Sequence, residues 1–218
     1  MPPAQNTPVI SATSLLPATQ LPVTWEHLNL KGKLIYINSS TVVEPTITNV
    51  QMLDLETGEV KTIFNSSPGW IFYATVSSEA GKLAFSYLPP TQSNSSSNRS
   101  LYVKPLDAVA QPQTLFVPPT PDDHYTQVEW SPDGKSIYFV HYNHNESNGQ
   151  FYEVYEIFRM SYPNSTPEKI LDRAYWPRVS ADGTKLVYVT LDPASGLNEL
   201  WTANADGNNA QKVSFSGP

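Results

Sequence analysis

Residues 130–139, which read Trp-Ser-Pro-Asp-Gly-Lys-Ser-Ile-Tyr-Phe, decide the fold. An Asp-Gly pair between two strand-like runs is a strong signal for a β-hairpin, because glycine tolerates the positive φ of the tight turn. The same pattern, a glycine followed by alternating apolar residues, occurs at Gly32, Gly81, Gly134 and Gly183. Successive glycines are 49, 53 and 49 positions apart, so the chain repeats a unit of nearly constant length.

Each repeat contains further short apolar runs. One follows its glycine by about twenty residues, and another comes soon after. The last run of each repeat lies at residues 61–64, 113–117, 168–171 and 211–215. Together with the run before each glycine, this predicts four strands per repeat, and no helical periodicity is sustained.

Four-stranded units at this spacing are typical of a β-propeller, whose blades surround a central channel. We therefore predict an all-β fold, a β-propeller of four-stranded antiparallel blades. The predicted blades are residues 23–66, 67–118, 119–172 and 173–218.

Residues 130–139 and 199–213 resemble the WD-like propeller repeat of the TolB family, named after a bacterial periplasmic protein and also found beside prolyl-oligopeptidase-type and tricorn-type proteases. The repeats at Gly32 and Gly81 match more loosely, because they lack the Pro-Asp-Gly turn. The resemblance covers roughly residues 24–216. Rings of this family generally have six or more blades, so it implies that these four blades belong to a larger ring. A four-bladed ring is the alternative.

The composition excludes several classes of function. The 218 residues include 13 basic and 20 acidic side chains, a net charge of −7, without the basic cluster that nucleic-acid binding needs. The chain has no cysteine, which excludes disulfides, thiolate nucleophiles and cysteine-based zinc sites. No apolar run is long enough to span a membrane.

Residues 1–22 contain five prolines and no charged side chain. This composition predicts a disordered Pro/Thr/Ser linker. Such linkers commonly tether extracytoplasmic domains, so we expect a periplasmic or extracellular protein whose export signal lies upstream. The alternative is the disordered start of a cytosolic protein.

A binding surface is expected at the channel mouth, where the loops entering the innermost strands meet. In this sequence they are residues 65–70, 118–125 and 172–176, joined by long loops at 89–99 and 141–152. The predicted rim residues are Trp70, Asp122, Asp123, His124, Tyr125, Arg173, Tyr175 and Trp176. Aromatic rings among Asp, His and Arg suit a peptide or a glycan. The alternative is that Trp70, Tyr125 and Trp176 wedge between blades.

Signatures of catalysis and of metal binding are missing. The sequence has no nucleophile elbow, zinc-protease helix, phosphate loop or dinucleotide fingerprint. His141 and His144, with His124 nearby, lack a partner at a recognised metal-site spacing, and Asp122–Asp123 is interpreted as a solvated loop. We therefore expect neither a cofactor nor a metal.

The resemblance then implies a non-catalytic extracytoplasmic module that binds a protein or peptide, or a glycan. Three alternatives remain open. One is an accessory propeller that gates substrates for a serine peptidase domain outside this chain. Another is an enzyme that uses Asp122, His124 and Arg173 on a sugar or ester, and the last is a sensor ectodomain.

Overall fold

The computed structural model describes residues 19–20, 26–40, 47–66, 69–88, 99–106, 109, 111–120, 122–147, 150–163 and 166–214. In these residues the regular structure is β, apart from a single 3-10 turn at Glu26–Leu28. The strands form four separate four-stranded antiparallel sheets. The predicted all-β propeller architecture is confirmed.

The sheets follow one another along the chain as blades 1 to 4. Blade 1 has β1 (Thr19–Gln20), β2 (Lys33–Ser40), β3 (Ile47–Asp54) and β4 (Glu59–Ser66). Blade 2 has β5 (Trp70–Ser77), β6 (Lys82–Leu88), β7 (Ser100–Pro105) and β8 (Gln113–Phe116). Blade 3 has β9 (Asp123–Trp130), β10 (Ser136–Ser147), β11 (Gln150–Ser161) and β12 (Glu168–Asp172). Blade 4 has β13 (Ala174–Val179), β14 (Lys185–Leu191), β15 (Asn198–Asn204) and β16 (Gln211–Lys212).

The predicted Asp-Gly turns connect the first two strands of blades 3 and 4. Gly134 and Gly183 have φ values of 67° and 73°, as the hairpin signal requires. In blade 4 the Asp182 carboxylate closes the turn by accepting bonds from Ser180 Oγ at 2.6 Å and from the Thr184 amide at 3.0 Å. These hydrogen bonds lower the pKa of Asp182 to about 2.

Blade 1 differs from the other three in strand order. Its sheet runs β1-β4-β3-β2, whereas blade 2 runs β5-β6-β7-β8. The strand predicted just before Gly32 is replaced there by the 3-10 turn at Glu26–Leu28, where the residues do not alternate between apolar and polar. The fourth strand is β1, which pairs with the outer side of β4. Apart from β1, the predicted linker at 1–22 lies outside the described residues.

The predicted loop at 141–152 is instead mostly strand, and this corrects the expectation. The ladder between β10 and β11 continues from His141↔Glu156 to Ser147↔Gln150. The residues looked loop-like because they are polar, but cross-strand pairs such as Tyr142 with Tyr155 sustain the pairing. The other predicted long loop, 89–99, lies outside the described residues except for Arg99.

Apolar side chains between neighbouring blades hold the array together. Successive blades pack face to face from 1 to 2, from 2 to 3 and from 3 to 4, and no comparable packing joins blades 1 and 4 among the described strands. Phe85 and Phe139 are fully buried at the first two of these interfaces. At the third, Gly207 approaches Ile170 so closely that a Cβ at Gly207 would lie 2.5 Å from the Ile170 carbonyl oxygen.

Candidate functional site

The innermost strands β5, β9 and β13 each contain a bulge at the same height. The pairing register shifts between Ile71 and Tyr73 in β5, and between Tyr175 and Arg178 in β13. In β9 the shift lies opposite the step from Tyr138 to Val140. A bulge leaves one residue outside the ladder and redirects its side chain.

Three residues occupy the equivalent position next to these bulges. Each residue stands four positions before a serine at the end of its inner strand. The pairs are Tyr73 and Ser77, Gln127 and Ser131, and Trp176 and Ser180. All three line one cavity of about 1040 Å³, which we call the central cavity. Its remaining lining residues are Glu153, Val154, Tyr155, Asp172, Arg173, Tyr175, Leu191 and Pro193. The cavity thus gathers side chains from blades 2, 3 and 4.

Backbone strain is concentrated in this lining. Gln127, Arg173 and Trp176 have φ values of 48°, 52° and 53°. For residues that carry a Cβ this left-handed conformation costs roughly 1–2 kcal/mol each. Part of the strain is offset where Gln127 Oε1 accepts a hydrogen bond from the Trp176 amide at 2.5 Å, which ties blade 3 to blade 4. Strain of this kind is often retained at functional sites.

The two carboxylates of the central cavity are both engaged. Glu153 accepts hydrogen bonds from Tyr155 Oη at 2.8 Å and Tyr142 Oη at 3.2 Å. Burial, reinforced by the bond to Glu153, raises the pKa of Tyr155. Asp172 pairs with Lys169 Nζ at 2.7 Å, and the pKa of Lys169 rises to about 12 because of its bonds to Asp172 and then Glu156.

Arg173 is the one cation in the lining of the central cavity. Its side chain makes no ion pair or hydrogen bond with any residue that the structure describes, whereas Arg178, on the following strand, pairs with Glu129 at 3.1 Å. The positive charge of Arg173 is therefore available to a ligand.

A rim-side network on blade 3 surrounds Asp123, which is only 4% exposed. Its Oδ2 accepts bonds from the Thr120 amide at 3.1 Å and from Thr120 Oγ1 at 2.6 Å. Its Oδ1 lies 2.5 Å from Asn143 Nδ2 and 2.7 Å from His141 Nε2. Burial alone would raise the pKa of Asp123, but the bonds from Thr120, Asn143 and His141 outweigh it and lower the pKa. Asp123 is thus positioned as a structural anchor.

The structure separates the eight residues predicted for the rim. Arg173, Tyr175 and Trp176 line the central cavity, with the Trp176 side chain half exposed. Trp70 is also exposed but is not part of this lining, and Asp122 points into solvent beside the buried Asp123.

The other two predicted rim residues pack against neighbours. His124 stacks on Tyr142 with 5.5 Å between ring centroids. Tyr125 packs edge-on against Phe139 at 5.3 Å, within the core between blades 2 and 3. The wedge alternative therefore describes Tyr125, whereas Trp176 faces the central cavity.

Sequence reasoning missed eight residues of the lining, among them Tyr73, Gln127, Glu153 and Tyr155. Tyr73 and Gln127 lie inside strands, and their residue types do not distinguish them from other strand residues. The bulges in β5 and β9 turn their side chains towards the cavity. A signal was available in the fixed spacing of four residues before the serine that ends each inner strand.

The described residues contain no group of three or more His, Asp or Glu side chains placed to hold a metal ion. His141 has a carboxylate oxygen near each ring nitrogen, Asp123 at 2.7 Å and Glu156 at 3.1 Å. The His144 side chain lies outside the described residues. Within the described part of the chain, no helix has the length and apolar character needed to cross a membrane.

Comparison with known proteins identifies the fold. No family model and no curated protein matches the chain. Among solved structures, an oligogalacturonate lyase in complex with manganese is 16% identical with a TM-score of 0.58, over 84% of this chain and 50% of the lyase. A putative TolB from Agrobacterium tumefaciens is 21% identical with a TM-score of 0.54, over 82% of this chain and 60% of TolB. An acylaminoacyl peptidase from Pyrococcus horikoshii is 11% identical with a TM-score of 0.53, over 85% of this chain and 31% of the peptidase.

At these identities the similarity shows the fold, which is the TolB-like β-propeller. The chain spans only half to three fifths of the length of the first two structures, and less of the third.

Proposed function

We propose that this chain is a non-catalytic, extracytoplasmic propeller module that binds a protein or peptide partner in the central cavity. The observation that carries the proposal is the convergence of Tyr73, Gln127 and Trp176, from three different blades, on one cavity. Two of these three residues hold a strained backbone. Strain kept at a concave surface that carries four aromatic side chains supports a role in recognition.

The chemistry of the cavity supports binding rather than turnover. Its two carboxylates are held by tyrosine hydroxyls and by Lys169, and the raised pKa of Tyr155 keeps the hydroxyl beside Glu153 protonated rather than activated as a nucleophile. Asp122 and His124 are the candidate catalytic residues of the enzymatic alternative. Asp122 is exposed to solvent, and the His124 ring stacks on Tyr142. They do not meet Arg173 in the cavity lining.

An extracytoplasmic location is proposed from the likeness to TolB and from the uncharged, proline-rich residues 1–22. Fractionation of cells that express the full-length gene product tests it. Recovery of the protein in the cytosol would contradict this part of the proposal.

A substrate-gating propeller of a serine peptidase is the second candidate, and the likeness to the acylaminoacyl peptidase supports it. The two candidates differ outside this chain. A nucleophile elbow in an adjoining α/β domain of the gene product favours gating, and additional blades favour the binding module.

The binding proposal is tested by selecting random heptapeptides displayed on phage against the immobilised chain. Galacturonate oligomers are tested in parallel by calorimetry. We expect captured peptides whose binding is lost in Trp176→Ala and kept in Trp70→Ala, a matched exposed tryptophan outside the cavity lining. Equal loss in both variants, or capture independent of Trp176, would contradict a site in the central cavity.

Catalysis is tested on panels of peptidase, glycosidase and esterase substrates. We expect no turnover. Turnover that disappears in both Asp122→Ala and His124→Ala would replace the binding proposal with an enzymatic one.

A further inference from the structure

Two side chains of the central cavity, Arg173 and Trp176, offer only hydrogen-bond donors and have no acceptor among the described residues. Arg173 carries five guanidinium N–H groups, and none of them has an acceptor among the described residues. The Trp176 indole N–H likewise has no described acceptor, and its side chain is 50% exposed. A ligand that completes this site must therefore supply acceptors.

Gln127 adds a third donor. The residue is 8% exposed, and its Oε1 is fixed by the hydrogen bond from the Trp176 amide. Because the oxygen is engaged there, the amide is oriented and the Nε2 group is left without an acceptor among the described residues. The Nε2 atom is accessible to solvent, so an acceptor on a ligand can reach it.

The charge balance points in the same direction. Glu153 accepts hydrogen bonds from two uncharged tyrosine hydroxyls and Asp172 pairs with the Lys169 ammonium, so neither carboxylate is bonded to Arg173. Arg173 has no partner among the described residues. The planar guanidinium of arginine matches a carboxylate in a bidentate geometry.

The rest of the lining is apolar or aromatic. Val154, Leu191 and Pro193 contribute no polar side-chain group, and the indole of Trp176 offers a half-exposed surface beside Arg173. Val154, Leu191 and Pro193 offer no hydrogen-bond partner to the hydroxyls of a sugar, which would have to bond to the polar part of the lining. A peptide segment with one acidic side chain next to an apolar one matches the lining better.

We infer that the central cavity binds a peptide segment through a carboxylate. The carboxylate accepts hydrogen bonds from Arg173 and Gln127, and the neighbouring apolar side chain of the ligand packs on Trp176. This inference rests on the proposed function and adds the chemistry of the ligand to it.

The test starts from the heptapeptides that the wild-type chain captures and Trp176→Ala does not. We expect them to be enriched in Asp or Glu beside Phe, Leu or Trp. For one such peptide, replacing its acidic residue by the amide should weaken binding about ten- to a hundredfold, the range expected for hydrogen bonds to a charged group. Arg173→Gln should weaken binding of the acidic peptide to a similar extent.

A double-mutant cycle that combines the acid-to-amide change in the peptide with Arg173→Gln isolates the interaction between the peptide carboxylate and Arg173. In Arg173→Gln, the amide peptide should bind no more weakly than the acidic peptide does. Gln127→Glu should also weaken the acidic peptide, because it keeps an oxygen for the Trp176 amide but puts a carboxylate where the donor was. Arg178→Gln, which removes a similar charge outside the cavity lining, should leave the affinity unchanged, and thermal unfolding checks that each variant is folded.

Four results would overturn the inference. Captured peptides could be neutral or basic, or the acid-to-amide change could cost as much in Arg173→Gln as in the wild type. In either case Trp176-dependent capture would persist, so the binding function would stand without the carboxylate. If only galacturonate oligomers bind, the ligand class is a glycan. If no probe binds in a Trp176-dependent way, the proposed function fails together with the inference.

Discussion

Asp123 and Asp122 are adjacent in the chain and chemically identical, yet the structure predicts very different consequences when each is replaced by alanine. Asp123→Ala removes the common acceptor of bonds from Thr120, Asn143 and His141 at a position that is 4% exposed. Removing one partner of a buried charge network typically costs about 3–5 kcal/mol. Because part of this network reaches the surface, we expect a loss near the lower end, about 3 kcal/mol at neutral pH.

The loss is measured by urea and thermal unfolding. For a domain of this size, about 3 kcal/mol corresponds to a melting temperature lower by roughly 6–12 °C. Asp122→Ala is the matched control, because that side chain is exposed and its removal should change stability by no more than about 0.5 kcal/mol. Equal unfolding midpoints for the two variants would refute the assignment of Asp123 as a structural anchor.

The hydrogen bonds to Asp123 also make the stability of the chain depend on pH. The folded pKa of Asp123 lies below the ordinary value of 3.8, so its contribution to stability is complete above pH 3.8 and is lost as the pH falls through the lowered pKa. The stability difference between the wild type and Asp123→Asn should therefore shrink in strong acid. A difference that begins to shrink well above pH 3.8 would contradict this sign.

Three further predictions concern blade packing. Gly207→Ala should destabilise the chain by about 2 kcal/mol or more in urea unfolding, because the new methyl group meets the neighbouring blade. The control is Gly196→Ala, where φ is 68° and a Cβ would have open space, so the loss of stability should be about 1 kcal/mol. Tyr138→Phe should cost about 1 kcal/mol in the same assay, since its buried hydroxyl donates to the Ala205 carbonyl at 3.0 Å across blades 3 and 4; no change would mean that this bond is not a net contributor. Burial raises the pKa of Tyr87 to about 12, so the stability it provides is complete below pH 10.0 and is lost as the pH rises towards 12; Tyr87→Phe should flatten the alkaline decline of stability over that window.

The architecture could be predicted from the sequence because it rests on local signals that repeat. Gly134 and Gly183 mark hairpins through their positive φ, and the alternating residues that follow them fill the interfaces between blades. Blade 1 was less predictable, because its fourth strand is β1, at Thr19–Gln20, and not the segment that directly precedes Gly32. Such pairing between distant segments has no local signal.

The candidate site could be predicted only in part, for two physical reasons. Arg173, Tyr175 and Trp176 were found because the entry to an inner strand is visible as a break between strand-like runs. Gln127 was missed because a bulge inside a strand changes where a side chain points without changing residue types. Asp123 was read like Asp122 because the sequence does not reveal which of two neighbours turns inward at the start of a strand.

The bulges in β5, β9 and β13 separate two kinds of evolutionary change in this chain. Residues in the regular parts of these strands are constrained by close packing against the next blade, so substitutions there are paid in stability. Of the three residues beside the bulges, Tyr73 packs against the core between blades 2 and 3 and Gln127 is buried, whereas Trp176 is half exposed and lines the central cavity. Substitutions at Trp176 can therefore change what the cavity recognises at little cost to the packing between blades, whereas substitutions at Tyr73 or Gln127 change both.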